Sequence, residues 1–366
     1  MNKSYKFLFP FIQAGIISLL VLFSVYNVSC RVSTEGIQLL SGDYDSPKIL
    51  SVCMESDSTI AVVFSEEVKV DGITVCQAPD DFSDSSLAFL ESSPYGIPLK
   101  AEISDSGKQI VCILQNSVQI GRKYILFGRV EDTNGNSLTF SSLLTGFNSH
   151  PATVVMSEIQ DKSTAKGGSE FIELYVLESG NLSGFVLYSA NDGEDFNFTL
   201  PAVEVCAKDV IVVHLRKTGD DCISELSDNL SLSTAVGSNN AARDLWAENT
   251  ENRLGATQDV ILLTDGNTGC VKDAFLYSRT TKTAWAKTDL QDAALKASGC
   301  GVWKPDGEFE NAFMINGSSA QMIFKRKNIA ELEQMAENGM LSDRVVPADS
   351  DDWERITASR VTPGGI

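Results

Sequence analysis

Apolar and polar positions in this chain alternate in short runs far more often than they recur at helical spacing. In Thr59–Phe64, the residues Ile60, Val62 and Phe64 share one face at period two, and Val68 and Val70 resume the pattern after the acidic step Ser65-Glu66-Glu67. Gln109–Leu114 is a second apolar run and residues 124–130 alternate again. Asp132-Thr133-Asn134-Gly135-Asn136 then supplies a turn, with positive φ expected at Asn134-Gly135. A new series opens after Pro151, with strands expected at 154–159, 170–177, 182–188, 196–200 and 210–215. A hairpin is expected from 259–264 and 271–277, joined by Asp265-Gly266-Asn267. Two helices interrupt this series. One opens at Asp289-Leu290-Gln291-Asp292 and is closed by Gly299; the other follows Asn328, whose spacing to Glu331 fits a capping box ahead of Leu332, Met335 and Met340. Residues 217–252, rich in Ser, Asn and Asp, read as a long loop whose Trp246 either plugs the core or anchors a partner. The pattern predicts an all-β protein with two tandem β-sandwich domains, at 47–148 and 151–366, and short helices inserted in the second.

The amino end follows a different pattern. Lys3 and Lys6 precede a largely apolar run over residues 7–26, and Cys30 follows shortly after. A basic start, an apolar stretch and a small residue before a cut site make an export signal. Ser29-Cys30 resembles the lipobox of bacterial lipoproteins, in the relaxed form familiar from spirochaetes, with Asn27 and Val28 in place of the more usual residues. That resemblance implies a signal peptide over 1–29, lipid attachment at Cys30 and a tether over 30–46. Several acyl chains hold a membrane firmly, at roughly 0.8 kcal/mol per buried methylene. An uncleaved anchor helix and simple secretion are the alternatives, and Pro10 and Gln13 make the run a better signal than a span. All three export the chain.

The 366 residues are 43% hydrophobic and 21% charged, enough to bury real cores. The net charge of −20 repels phosphate backbones and anionic headgroups, so no nucleic-acid partner is expected. Lys325-Arg326-Lys327 is the one dense basic spot; it reads as a solvated strand end, or else as an anion contact. Only two histidines, His150 and His214, are available as bases or ligands. His214 reads as an ordinary strand histidine. The eight cysteines form no C-x-x-C, so a structural zinc is not expected; the seven besides Cys30 read mostly as buried thiols, with one or two disulfides as the alternative. There is no G-x-S-x-G, G-x-x-x-x-G-K-[ST] or H-E-x-x-H. Glu158 and Glu173 resemble a hydrolytic carboxylate pair, but half-buried glutamates bonded to backbone amides are the simpler account. Asp132, Asn134 and Asn136 alternate like calcium ligands, yet Ser137 and Leu143 stand where an EF-hand loop needs glycine and glutamate. No catalytic, cofactor or metal residue is assigned.

Two resemblances add to this reading. Ile60-Ala61-Val62-Val63-Phe64-Ser65-Glu66-Glu67-Val68 and Tyr124-Ile125-Leu126-Phe127-Gly128-Arg129-Val130-Glu131-Asp132-Thr133-Asn134-Gly135-Asn136 resemble bacterial Ig-like domains, which mostly serve as spacers or interaction modules. Val155-Met156-Ser157-Glu158-Ile159, Glu170-Phe171-Ile172-Glu173-Leu174 and Leu182-Ser183-Gly184-Phe185-Val186-Leu187 resemble the opening of a lamin-tail domain. The segments Asp259-Val260-Ile261-Leu262-Leu263-Thr264-Asp265-Gly266, Val271-Lys272-Asp273-Ala274, Ser350-Asp351-Asp352-Trp353 and Thr362-Pro363-Gly364 continue that resemblance. It implies an Ig-like sandwich without catalytic machinery, of a kind that accompanies exported nucleases, phosphatases and surface proteins. The expectation is therefore an exported, lipid-anchored envelope protein facing the periplasm or cell surface. Its role is expected to be non-catalytic binding or structure, its partners the bilayer through Cys30 and an envelope or host protein. Two other classes remain open. One is a metal-dependent hydrolase gathering a divalent ion at Asp192, Glu194 and Asp195; the other is a calcium-stiffened adhesin.

Overall fold

A strand that alternates must hide its apolar face against another layer of structure, and in both series of strands that layer is a second sheet. The computed structural model describes residues 32–33, 36–37, 45–79, 96–104, 106–192, 197–317, 322–341 and 345–365. The chain divides into two units, Met1–Ser46 and Pro47–Ile366. In the first, within the expected tether, β1 (Val32–Ser33) pairs antiparallel with β2 (Gly36–Ile37). The expected signal peptide over 1–29 and the lipid-attachment residue Cys30 lie outside the described residues.

The second unit begins with seven strands: β3 (Ile49–Ser56), β4 (Thr59–Phe64), β5 (Val68–Gln77), β6 (Leu99–Ile103), β7 (Gln109–Leu114), β8 (Lys123–Asp132) and β9 (Ser137–Thr145). They form a four-stranded sheet, β3-β4-β7-β6, and a three-stranded sheet, β5-β8-β9. One core lies between them. Ile60, Val62, Phe64 and Ile110 from the first sheet pack with Val75, Leu126, Val130 and Leu144 from the second. The period-two face expected from Ile60, Val62 and Phe64 is thus the buried one.

The strands that follow are β10 (Thr153–Gln160), β11 (Phe171–Glu178), β12 (Gly180–Asn181), β13 (Phe185–Ser189), β14 (Asn197–Thr199), β15 (Glu204–Val205), β16 (Val210–His214) and β17 (Arg243–Trp246). After them come β18 (Gln258–Asp265), β19 (Val271–Arg279), β20 (Phe313–Ile315), β21 (Ile323–Arg326) and β22 (Trp353–Arg355), with helices α1 (Thr288–Gly299) and α2 (Ile329–Glu337). A six-stranded sheet, β17-β16-β11-β10-β21-β22, faces a five-stranded one, β14-β13-β18-β19-β20. Met156, Ile172, Leu174 and Ile211 of one meet Leu187, Val260, Leu263 and Ala274 of the other. The two sheets share a dense aromatic group in which Phe275 lies 4.8 Å from Phe324 and 4.2 Å from Trp353 between ring centroids.

The six-stranded sheet is covered on its other side too. Phe171, Tyr175 and Val212 on that side pack with Ile329, Leu332 and Ala336 of α2 and with Ile356 and Val361. Burial on both faces explains why every residue of β10 is buried, where sequence alternation pointed to a half-buried strand.

Two local expectations give way to other contacts. Asn328 does not cap α2; its amide donates to Asp352 Oδ1 at 2.7 Å instead. The capping box forms at Asp349, whose side chain accepts the Asp351 and Asp352 amides while the Asp352 side chain accepts the Asp349 amide. The stretch 217–252 is not loop throughout. Glu225 accepts the amides of Leu232, Ser233 and Asp244, and Arg243 donates to the Glu225 and Ser227 carbonyls. That knot returns the chain as β17, parallel to β16.

Candidate functional site

Glu158 on β10 and Glu173 on β11 are direct cross-strand partners, so their carboxylates lie side by side on the α2-covered face. Both are fully buried, not half-buried, because the segment 361–364 lies over them. Glu158 accepts the Thr362 amide at 3.1 Å and its hydroxyl at 2.8 Å. Glu173 accepts the Ser157 hydroxyl at 2.7 Å and the Gly364 amide at 2.8 Å. Burial raises the Glu173 carboxyl to about 8, with Glu158 beside it adding to the rise against the hydrogen bonds from Ser157 and Gly364. Burial likewise lifts Glu158 above its ordinary value, opposed by Thr362 and by Lys325, whose Nζ stands 3.9 Å away. Chemically this pair is an acceptor site for one chain segment.

The other buried acids work in the same way. Glu170 accepts the Arg253 and Leu254 amides, and burial raises it to about 7. Asp259 gathers the Gly255, Asn191 and Val260 amides and the Ser189 hydroxyl. Asp161 accepts the Met322 amide and is raised by burial to about 6. Asp273 accepts the Met156 amide at 2.7 Å and a two-pronged contact from Arg326, at 2.9 and 3.1 Å. Arg326 also lies over the Trp353 ring, 5.1 Å from its centroid. The basic triplet is therefore no solvated strand end: Arg326 is buried, Lys325 donates to Thr362 Oγ1, and Lys327 alone is exposed. A carboxylate accepting amides from a neighbouring loop fixes that loop at a cost that only full satisfaction offsets.

His214, at the end of β16, is fully buried, with Nε2 2.8 Å from Asp244 Oδ1. Its ring stacks on Trp246, centroids 3.8 Å apart and planes 9° apart. Trp246 is thus a plug in the core, and its Nε1 donates to Ser233 Oγ. Asp244 Oδ2 accepts the Asn239 amide, and the Asn239 side chain donates to the Pro363 carbonyl. The His214–Asp244 pair and the glutamate pair therefore both reach the segment 361–364. Nothing in the sequence joined them; Asn239 and Pro363 lie 124 positions apart.

The remaining candidates separate. Asp132 Oδ1 accepts the Asn134 and Asn136 amides at 2.8 Å, and Oδ2 accepts the Asn136 side chain at 2.7 Å. Desolvation opposes these bonds, but together they hold the carboxyl below its ordinary value. The motif is a turn locked by its own aspartate. Asp192 pairs with Arg253 at 2.7 Å, while Glu194 and Asp195 lie outside the described residues. Among the described residues no three His, Cys, Asp or Glu side chains are placed to hold a metal ion, and no helix is long and apolar enough to cross a membrane. The described cysteines are free thiols: Cys76, Cys112 and Cys222 are buried, whereas Cys53, Cys206, Cys270 and Cys300 are exposed. Burial pushes the Cys112 thiol up to about 11. A cleft of about 320 Å³ opens between the five-stranded sheet and α1, floored by Tyr188, Leu262 and Ala293 and rimmed by Asp289, Asp292 and Lys296.

A family model described as "TP_1001_2nd: protein second domain" matches residues 152–355, more than half of the chain. The chain belongs to the TP_1001_2nd family. The family span of this TP_1001_2nd chain contains Glu158, Glu173, His214 and Asp244, and stops short of Thr362 and Gly364. A protein of the spirochaete Treponema pallidum (strain Nichols), described as an uncharacterized protein, is 28% identical over 192 residues. That match covers 50% of this chain and 48% of the relative, so the chain spans about half the length of the curated relative it matches. Among solved structures, the N-terminal part of the bacterial S-layer protein SbsC aligns at 13% identity and a TM-score of 0.24, over 63% of this chain and 43% of that one. A DUF4876 family protein from Bacteroides thetaiotaomicron aligns at 10% identity and a TM-score of 0.26, over 70% and 82%.

Proposed function

We propose that this chain is an exported, lipid-anchored protein of the cell envelope with a non-catalytic binding or structural role. The observation that carries the non-catalytic part is the use made of Glu158 and Glu173. The Glu158–Glu173 carboxylate pair binds Thr362 and Gly364 of its own chain, with no face turned to solvent. The other buried acids hold loops to the sheets, which suits a scaffold. The similarity of the first sandwich's motifs to bacterial Ig-like domains and of the second's to lamin-tail domains supports the same setting, as does the kinship with a spirochaete protein. On this reading residues 1–29 are a signal peptide, acylated Cys30 holds the bilayer, and residues 30–46 tether the sandwiches. Loops on the rigid sandwich ends would carry recognition of an envelope or host protein.

The test is metabolic labelling with radioactive palmitate in the native cell. Label on the chain, lost in the Cys30→Ala variant together with membrane association, is the expected result. An unlabelled chain in a soluble intracellular pool would overturn the proposal.

A further inference from the structure

Where the two sandwiches of the second unit meet, two adjoining cavities of about 220 and 210 Å³ share Asn148, Ser183, Gly184 and Asn267, and so form one groove. In a chain of net charge −20 its lining is almost uncharged. The two charged residues that reach it are already engaged: Asp265 Oδ1 accepts the Asn267 and Thr268 amides, and Lys123 Nζ donates to Thr145 Oγ1 at 2.7 Å. What remains are hydroxyls and amides, with Phe185 and the half-buried Phe147 also in the lining.

Three of the polar side chains have no partner among the described residues: the Ser183 and Thr199 hydroxyls and the Asn267 amide. Ser183 is only 6% exposed and lines both cavities, while Thr199 and Asn267 beside it are exposed and free to exchange water for a ligand. Hydroxyl and carboxamide groups each both donate and accept, which matches a ligand whose own groups do both. Phenylalanine in the same lining suits the apolar C–H faces of such a ligand. The walls are held in place beforehand, since Asn148 Nδ2 donates to the Asn181 and Ser183 carbonyls at 2.9 and 3.0 Å. Gly184, at φ +88°, keeps the space open: a Cβ there would meet only Asn267 Nδ2, at 3.8 Å.

We infer that this groove binds a neutral oligosaccharide. The inference deepens the binding role proposed above and rests on it for its setting. The groove's chemistry does not involve Cys30, so the Cys30→Ala chain is expected to bind as the unaltered one does.

The experiment is saturation-transfer NMR on the full chain in a detergent without a sugar headgroup. The probes are neutral trisaccharides of glucose, galactose and N-acetylglucosamine, with a heparin-derived tetrasaccharide as the charged control. Transfer to at least one neutral trisaccharide is expected, with a Kd near about 1 mM, weakened about fivefold or more by Asn267→Ala and by Thr199→Val. Asp289→Asn, on the cleft beside α1, is expected to leave binding unchanged. No transfer to any neutral probe at about 10 mM, undiminished transfer in both groove variants, or preference for the sulfated control would each overturn the inference.

Discussion

The Glu173 carboxylate accepts the Gly364 amide at 2.8 Å across 191 positions of sequence, beneath the segment that closes over the six-stranded sheet. The same carboxylate holds Ser157, and its neighbour Glu158 holds Thr362. One sheet face is thereby sealed by hydrogen bonds as well as by apolar contact.

Replacing Glu173 separates the two contributions. Glu173→Ala strands the buried Gly364 N–H and should destabilise the chain by about 2–3 kcal/mol in urea unfolding. Glu173→Gln can still accept from Gly364 while donating to Ser157, and should cost less than about 1 kcal/mol. Equal losses in the two variants would show that shape, and not the hydrogen bonds, matters there.

The raised carboxyls set a direction for pH. Glu173, Glu170 and Asp161 titrate near about 8, 7 and 6 in the folded chain, against ordinary values of 4.5, 4.5 and 3.8. The folded state therefore holds more protons than the unfolded state between about pH 4 and 8, so the stability they contribute is complete below about pH 4 and falls as pH rises through 8. The urea midpoint at pH 5.5 should exceed that at pH 8.5, and Glu173→Gln should flatten the difference. Asp132, held below its ordinary value, acts in the opposite sense and only at acid pH.

Asp273 and Arg326 are a fully buried ion pair. Arg326→Met leaves the Asp273 carboxylate buried without its cation and should cost about 3–5 kcal/mol. Adding Asp273→Asn removes the stranded charge and should recover part of that loss. A double variant no more stable than the single one would count against charge as the cause.

Asp244→Ala removes the acceptor of both His214 and the Asn239 amide. A loss of about 2–3 kcal/mol is expected, with the near-ultraviolet signal of the stacked Trp246 weakened. An unchanged tryptophan signal would show that the His214–Trp246 stack orders itself without Asp244.

Millimolar calcium should leave the thermal midpoint within about 1 °C, because both Asp132 oxygens are occupied by Asn134 and Asn136. A clear rise would restore the calcium-stiffened reading.

Local pattern alone was enough for much of this molecule. Period-two runs such as Ile60, Val62 and Phe64 specify strands because one apolar face must leave water, and Asp265-Gly266-Asn267 specifies a hairpin because the Asp265 carboxylate can accept the Asn267 and Thr268 amides. The helix expected to be capped by Gly299 instead includes that residue, and the left-handed position that ends it is taken by Gly301, at φ +73°. What only the tertiary structure decided are the contacts between distant positions. Burial of Glu158 and Glu173 depends on a segment about two hundred residues away. The inward turn of Arg326 depends on Asp273, the strand at Trp246 on Glu225 and Asp244, and the groove on Asn148, Ser183 and Asn267 meeting. Side-chain polarity is written in the chain, but whether a polar group meets water, an amide or a cavity is settled only when separate strands come together.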